Sequence, residues 1–445
     1  MKNPLLLLSH CLAASLLFWI CSSSVVAAPL VSIGDNTDIF FNGSSSLRWS
    51  SNLFRNENDE DPDSSWTVSP GFEINVGRGI SNADLTVVTR YDIVSYQDND
   101  QLDTELFHIE ALGSYETSRL NLNGSASFDE MKMNDGQNNV QNDLVELNTI
   151  AGDLDAEYRV STKFSFSAGV RYDETEYQTY TDRLVDRETT SFPLNVYYEL
   201  TPKLDLTLGY TYSTTDIEGT GNSSDSAIQN FDGLGAPTTL VQTTTSAFQT
   251  GYVRDDHFYN IGLRGNILTK LTGYFKVGYR TRSPEDSTKS TTRFTTETPF
   301  GGGLPTTTDT SPPDELIKRV DSSKLGLDAN LTWMATNKLL VQLALSRDFG
   351  AGGEGESSEI TRANLVGNYS FNTQWSAMAN LGYTETDYPD DVREEEQLTG
   401  GLRFNYVLNT YCRFSAGYTY TDNDSSRASS SYDNNTLDLT AILRY

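Results

Sequence analysis

Three features of the sequence predict an all-β chain closed into a transmembrane antiparallel up-and-down β-barrel of about 18 strands, with 16 to 18 in range. The same two-faced strand recurs from end to end, tight turns alternate with long polar connections, and the chain finishes on an alternating segment that ends in an aromatic residue. Residues 203–213, KLDLTLGYTYS, show the unit. Leu204, Leu206, Leu208, Tyr210 and Tyr212 share one parity, and Asp205, Thr207, Gly209 and Thr211 share the other. Strict period-two alternation over nine or more residues is a strand signal, and its recurrence points to one large sheet.

The chain opens differently. Lys2, an apolar run from Pro4 to Ile20 and the small-residue exit Val25-Val26-Ala27-Ala28 read as a secretory signal peptide, residues 1–27, cleaved after Ala27. Residues 28–445 then form the barrel. No later stretch approaches the ~20 consecutive apolar residues of a membrane helix.

Alternation predicts strands near 38–49, 66–77, 82–92, 105–115, 118–129, 145–159, 162–174, 187–199, 202–213, 256–267, 270–281, 319–333, 337–348, 359–370, 374–387, 395–408, 411–422 and 435–445. A segment of about 11 residues at ~3.3 Å each, tilted ~45°, climbs about 26 Å, the height of a membrane barrel's apolar band. The short connections share a pattern, an apolar residue followed by Thr, Ser or Asn and a polar turn, as in Val160-Ser161-Thr162-Lys163 and Leu408-Asn409-Thr410-Tyr411. The long ones are polar and rich in Asp, Gly and Ser, the largest spanning 214–254 and 283–317. Short turns at one end and long loops at the other is the periplasmic and extracellular asymmetry of outer-membrane barrels. In the last strand Leu437, Leu439, Ala441, Leu443 and Tyr445 occupy alternate positions, the form of a signal read by the barrel insertion machinery.

Mean hydropathy is −0.45, and 32 Lys and Arg face 61 Asp and Glu for a net charge of −29. Such a chain repels phosphate backbones, so no nucleic-acid partner is expected. In a barrel the polar parity faces a wet lumen. Candidate lumen residues are Arg90, Glu110, Asp155, Arg171, Asp205, Arg264, Lys276, Arg280, Asp328 and Arg403. They constitute either a solvated wall or a filter for a charged solute.

A second group crowds the outer rim: Glu57, Asp59, Glu60, Asp61, Asp390, Asp391, Glu394 and Glu395. These carboxylates could hold divalent cations and bridge to lipopolysaccharide, but no fixed ligand spacing appears, so no metal site or cofactor is assigned. Catalysis lacks a constellation. Asp256-His257 is the nearest approach to one, and adjacent residues of an extended strand point to opposite faces, so no enzyme is expected.

Ser50-Ser51-Asn52-Leu53-Phe54-Arg55 closes the first predicted strand. This motif, the repeated turns and the carboxy-terminal strand resemble the putative beta-barrel porin 2 family, with Ser50-Ser51 where that family's pattern has an acidic pair. The resemblance implies an outer-membrane barrel and, since some members are linked to exopolysaccharide loci, an involvement with surface polymer; it carries no catalytic residue. The expected function is therefore a porin-like channel in the bacterial outer membrane, passing polar solutes or assisting polysaccharide export with its partners. The alternative is a non-conducting structural barrel whose acidic loops contact lipopolysaccharide or matrix polymer.

Overall fold

The computed structural model describes residues 29–58, 60–77, 82–134, 140, 142–232, 236–389, 393–427 and 430–445. The proposed signal peptide lies outside them. In chain order the strands are β1 (Val31–Ile33), β2 (Thr37–Ser50), β3 (Asp63–Val76), β4 (Ala83–Tyr96), β5 (Thr104–Glu116), β6 (Leu120–Met133), β7 (Val145–Arg159) and β8 (Phe164–Tyr177). There follow β9 (Arg187–Thr201), β10 (Leu204–Ile217), β11 (Thr220–Phe231), β12 (Pro237–Gln249), β13 (Tyr252–Leu268), β14 (Leu271–Pro284), β15 (Ser287–Pro299), β16 (Thr306–Asp309) and β17 (Glu315–Ile317). The last are β18 (Ser322–Met334), β19 (Leu339–Ala351), β20 (Ser357–Ser370), β21 (Trp375–Tyr388), β22 (Arg393–Val407), β23 (Cys412–Ser425) and β24 (Tyr432–Arg444).

Eighteen of these close into a barrel of antiparallel strands, each paired to its neighbours and β2 paired to β24 at the seam. The short β1 adds a flap to β2. Every segment predicted from alternation is present. The predicted parity holds as well: Leu208, Leu381, Leu437 and Leu439 are exposed on the outside, and Asp205, Asn380 and Asp438 lie on the opposite face. Aromatic residues gather at both ends of that outer surface. Trp375 packs on Tyr406 and Tyr369 on Phe371 near the tight turns, while Tyr210, Tyr212, His257 and Tyr259 cluster toward the long loops. Such girdles belong at membrane interfaces, where an amphipathic ring is half wet.

The tight turns explain their own sequence pattern. Asn409 Oδ1 accepts the backbone N–H groups of Tyr411 and Cys412 at 2.9 and 2.8 Å. Asn372 does the same for Gln374 and Trp375, and Ser161 for Lys163 and Phe164. A short side-chain acceptor thus satisfies two donors that the sharp reversal takes out of the ladder.

The long connections differ from expectation. Rather than irregular loops they form a second antiparallel sheet, β11–β12–β15–β16 with β17 beside β15, standing beyond the barrel. Alternation could not reveal it, because its strands are Thr- and Ser-rich with both faces wet, and β11 is exposed along almost its whole length.

The seam is latched at its long-loop end by the motif Ser50–Arg55. Asn434 Oδ1 accepts from Ser50 Oγ at 2.9 Å and from the Asn52 backbone at 3.2 Å. The fully buried Asn52 side chain donates to the carbonyls of Asn56 and Asp433 at 2.8 and 3.0 Å. Replacing Asn52 by Ala empties a buried polar position and removes the bonds that tie the carbonyl of Asn56 to that of Asp433 across the seam. It should cost about 2 to 3 kcal/mol, seen as a lower urea midpoint for loss of the compact, heat-modifiable band on cold gels; an unchanged midpoint would refute the latch.

Candidate functional site

The concave face of the barrel is charged, and its charges pair across it. Arg264 of β13 reaches Glu157 of β7, past β8, β9 and β10, which is possible only through the interior. Its Nη1 and Nη2 donate to the two carboxylate oxygens at 2.7 Å each, and its Nε donates to Asp205 at 2.9 Å. The guanidinium plane lies 3.3 Å over the Tyr197 ring. This geometry is bidentate and stacked, the arrangement that suits Arg and not Lys.

Around this clamp lies a chamber of about 960 Å³. Arg171, Arg187, Arg254, Arg264, Lys276, Arg280 and Arg362 line it with Asp155, Glu157, Asp173, Asp256, Asp328 and Asp348. Seven cations against six carboxylates make the chamber nearly neutral in a chain of charge −29. The predicted lumen residues Asp155, Arg171, Arg264, Lys276, Arg280 and Asp328 are brought together here. Asp155 sits 3.8 Å from Arg171, Arg280 is 2.7 Å from Asp348 and stacked over Phe258, and Asp328 accepts from the Tyr274 hydroxyl at 3.0 Å. Lys276 lies opposite Asp328 in register.

The others fall elsewhere on the lumen wall. Arg403 pairs with Asp438 at 3.1 Å. Arg90 contacts Asp92 at 2.9 Å, and Asp92 in turn flanks His108 opposite Asp129. Glu110, two residues beyond His108, is exposed on the same face. Near the tight turns Arg444 of β24 reaches across β2 to Glu73 of β3 at 2.7 Å.

Short loops cover the long-loop end. Phe54, Leu102 and Leu144 form one small core and Val140, Val145, Leu147, Tyr177 and Leu184 another. Asp143 accepts the Tyr180 hydroxyl, which pushes that phenol up to about 12. Next to them Val185, Ile217 and Tyr252 pack with Ala351. The segment Gly352–Glu356, which joins β19 to β20, folds inward to meet this third core. It is held by its own backbone carbonyls: Gly353 O accepts from Val185 N at 2.9 Å, and Gly355 O from the Tyr252 hydroxyl at 2.7 Å. At the flanking residues, Gly350 O accepts from Arg254 and Arg282 at 2.8 and 3.0 Å, and Ala351 O from Arg187 at 2.9 Å. Gly355 is left-handed at φ +83°, and a Cβ there would sit 3.0 Å from Val185.

These holding residues escaped the sequence reading. Arg254 fell inside the predicted loop, although it shares parity with Asp256, Phe258, Asn260 and Arg264. Extending the alternation backwards along β13 would have found it.

Two family descriptions match the sequence. Residues 311–445 match "Putative beta-barrel porin 2" and residues 74–231 match "Putative outer membrane beta-barrel porin, MtrB/PioB". The chain is a β-barrel of the outer membrane, similar over part of its length to each of these two porin families. No curated protein matches it. Among solved structures, the ferric-catecholate import receptor Fiu from E. coli K12 is 10% identical with a TM-score of 0.37, covering 94% of this chain and 82% of its own. OccAB2 from Acinetobacter baumannii is 11% identical with a TM-score of 0.36, covering 92% and 98%.

Tight turns close one end of the barrel and the capped mouth lies at the other. The acidic rim is less uniform than its sequence suggests. Glu57, Glu60 and Glu394 are exposed, Asp61 accepts from Asn99 at 3.2 Å, and Asp59, Asp390 and Asp391 lie outside the described residues. Glu395 departs from the rim expectation: it is buried, 3.3 Å from Arg393, because its parity turns it into the barrel. In the last strand Leu437 and Leu439 face lipid, Leu443 is buried against Tyr411 and Cys412, and Tyr445 exchanges backbone hydrogen bonds with Phe41 at the seam. Ala441 lines an outer apolar groove with Trp375, Phe404 and Leu439. His257 faces outward, its Nδ1 3.0 Å from the Tyr210 hydroxyl within the outer girdle.

Proposed function

We propose that this barrel is a passive channel for polar solutes whose outer mouth is narrowed by the short cap segment Gly352–Glu356, while the long hairpins are displayed to the exterior. The observation that carries this reading is the lumen wall: a chamber lined by charged side chains from β7 to β20 has no structural use for so much polarity unless it is wet. The near balance of its charges favours polar solutes of either sign over a strong cation filter.

The second reading is a surface-binding barrel, favoured by one feature, the exposed sheet of β11, β12 and β15 with its Thr rows and exposed Phe248 and Phe294. Contact with lipopolysaccharide or matrix polymer belongs to this second reading, and assistance to polysaccharide export belongs to the channel. Refolded protein inserted in a planar bilayer should show a steady, small conductance with weak ion selectivity. Silence from verified insertions would discard the channel and leave the surface scaffold.

A further inference from the structure

Arg187 and Arg254 are the chamber cations that bond the root of the cap; Lys276 and Arg362 also form no ion pair among the described residues, Lys276 lying opposite Asp328 in register. Arg171, Arg264 and Arg280 each have a carboxylate within ion-pair distance. Arg187 and Arg254 have none among the described residues; each gives a single hydrogen bond, to the carbonyl of Ala351 or Gly350. Arg254 is 5% exposed, its Nε has no hydrogen-bond partner, and the like charges of Arg282 and Arg187 bear on it. Arg282 lies close by but is already saturated, with Asp256 on Nε and Nη2 and carbonyls on Nη1. Arg282 is paired with Asp256 and Arg280 with Asp348, so at the root of the cap Arg187 and Arg254 leave positive charge with no carboxylate in ion-pair distance.

Guanidinium charge, buried at Arg254 and half-buried at Arg187, that is satisfied only by neutral carbonyls is poorly compensated, and an oxyanion in the chamber would compensate it better. The hydroxyls of Thr189 and Thr215, 3.0 Å apart and lining the same chamber, supply further donors. The carbonyls that now occupy the two arginines belong to the end of β19, from which the cap segment springs.

We propose that Arg187 and Arg254 form a binding site for a small oxyanion, phosphate or carboxylate, and that its occupation draws both guanidiniums off Gly350 and Ala351 and loosens the cap. This rests on the channel reading for its use, though not for its existence. An anion entering from outside would then ease its own passage.

The test is calorimetric titration of the refolded full chain in detergent with inorganic phosphate and with succinate, at ionic strength held constant with chloride, alongside bilayer conductance in the same salts. Saturable binding of at least one is expected, about ten-fold weaker in Arg254→Gln and in Arg187→Gln, unchanged in Arg403→Gln, and accompanied by a rise in wild-type conductance. Response to phosphate alone or succinate alone names the group recognised. Absence of binding above chloride, or equal affinity in a folded Arg187→Gln, overturns the site even if the barrel conducts. Binding by a barrel that never conducts keeps the site and rejects the channel.

Discussion

Replacing Gly352–Glu356 by a two-residue turn should raise single-channel conductance several-fold, whereas shortening the two long hairpins, by joining Ile217 to Tyr252 and Pro284 to Ser322, should leave it near the wild-type value. The difference follows from where each segment goes. The hairpin strands β11, β12 and β15 extend away from the barrel and pair with one another. The five-residue segment instead turns into the mouth and is gripped there by Val185 and Tyr252, with Arg187, Arg254 and Arg282 holding its root. Carbonyls bonded to charged donors contribute about 1.5 to 3 kcal/mol each when considered singly, and neighbouring contacts of this kind are not additive. Even so, several of them hold the segment inward against thermal opening. Removing it frees the Val185 N–H and the Tyr252 hydroxyl to water and widens the passage. Higher conductance on shortening the hairpins, with none on replacing the segment, would reverse the assignment and make the long loops the plug.

Barrel and cap were unequally legible in the sequence. A strand such as β10 is constrained on two sides at once, by lipid at Leu204, Leu206 and Leu208 and by the polar lumen at Asp205 and Thr211, so its alternation is written residue by residue. The strands of the outer sheet meet water on both faces, and nothing forces Thr243 to differ in kind from Thr244. The cap is harder still. Gly352, Gly353 and Gly355 announce a tight segment, but its inward path depends on Val185, Ile217 and Tyr252, drawn from three other connections and strand ends. Candidate lumen residues were recognisable as a set from parity, while their partners required register: nothing in the sequence says that Arg264 meets Glu157 and not the equally placed Asp155. The same limit hid Arg187 and Arg254, whose distinction is that they bond the carbonyls at the root of the cap.

Arg264→Ala should shift the channel toward cations and destabilise the barrel together, and the joint effect separates a lumen clamp from an ordinary wall residue. One guanidinium serves both Glu157 and Asp205, supports Tyr197 and ties β7 to β13 through the interior. Without it two carboxylates face a common space with no cation between them, and the chamber changes from a slight positive excess to balance. In the narrow part of a low-dielectric tube that change raises cation preference, read as a reversal potential moving toward the cation limit under a salt gradient. Glu157 and Arg264 are each about a third exposed, 31% and 28%, so the stability loss should fall below the ~3 to 5 kcal/mol of a dry pair and lie near 2. Arg264→Lys restores the charge without the fork or the stacking, so it should recover selectivity while leaving most of the stability loss. A Lys variant that recovers both would show the contribution to be charge alone; an Ala variant with unchanged reversal potential would mean that ions do not pass this clamp.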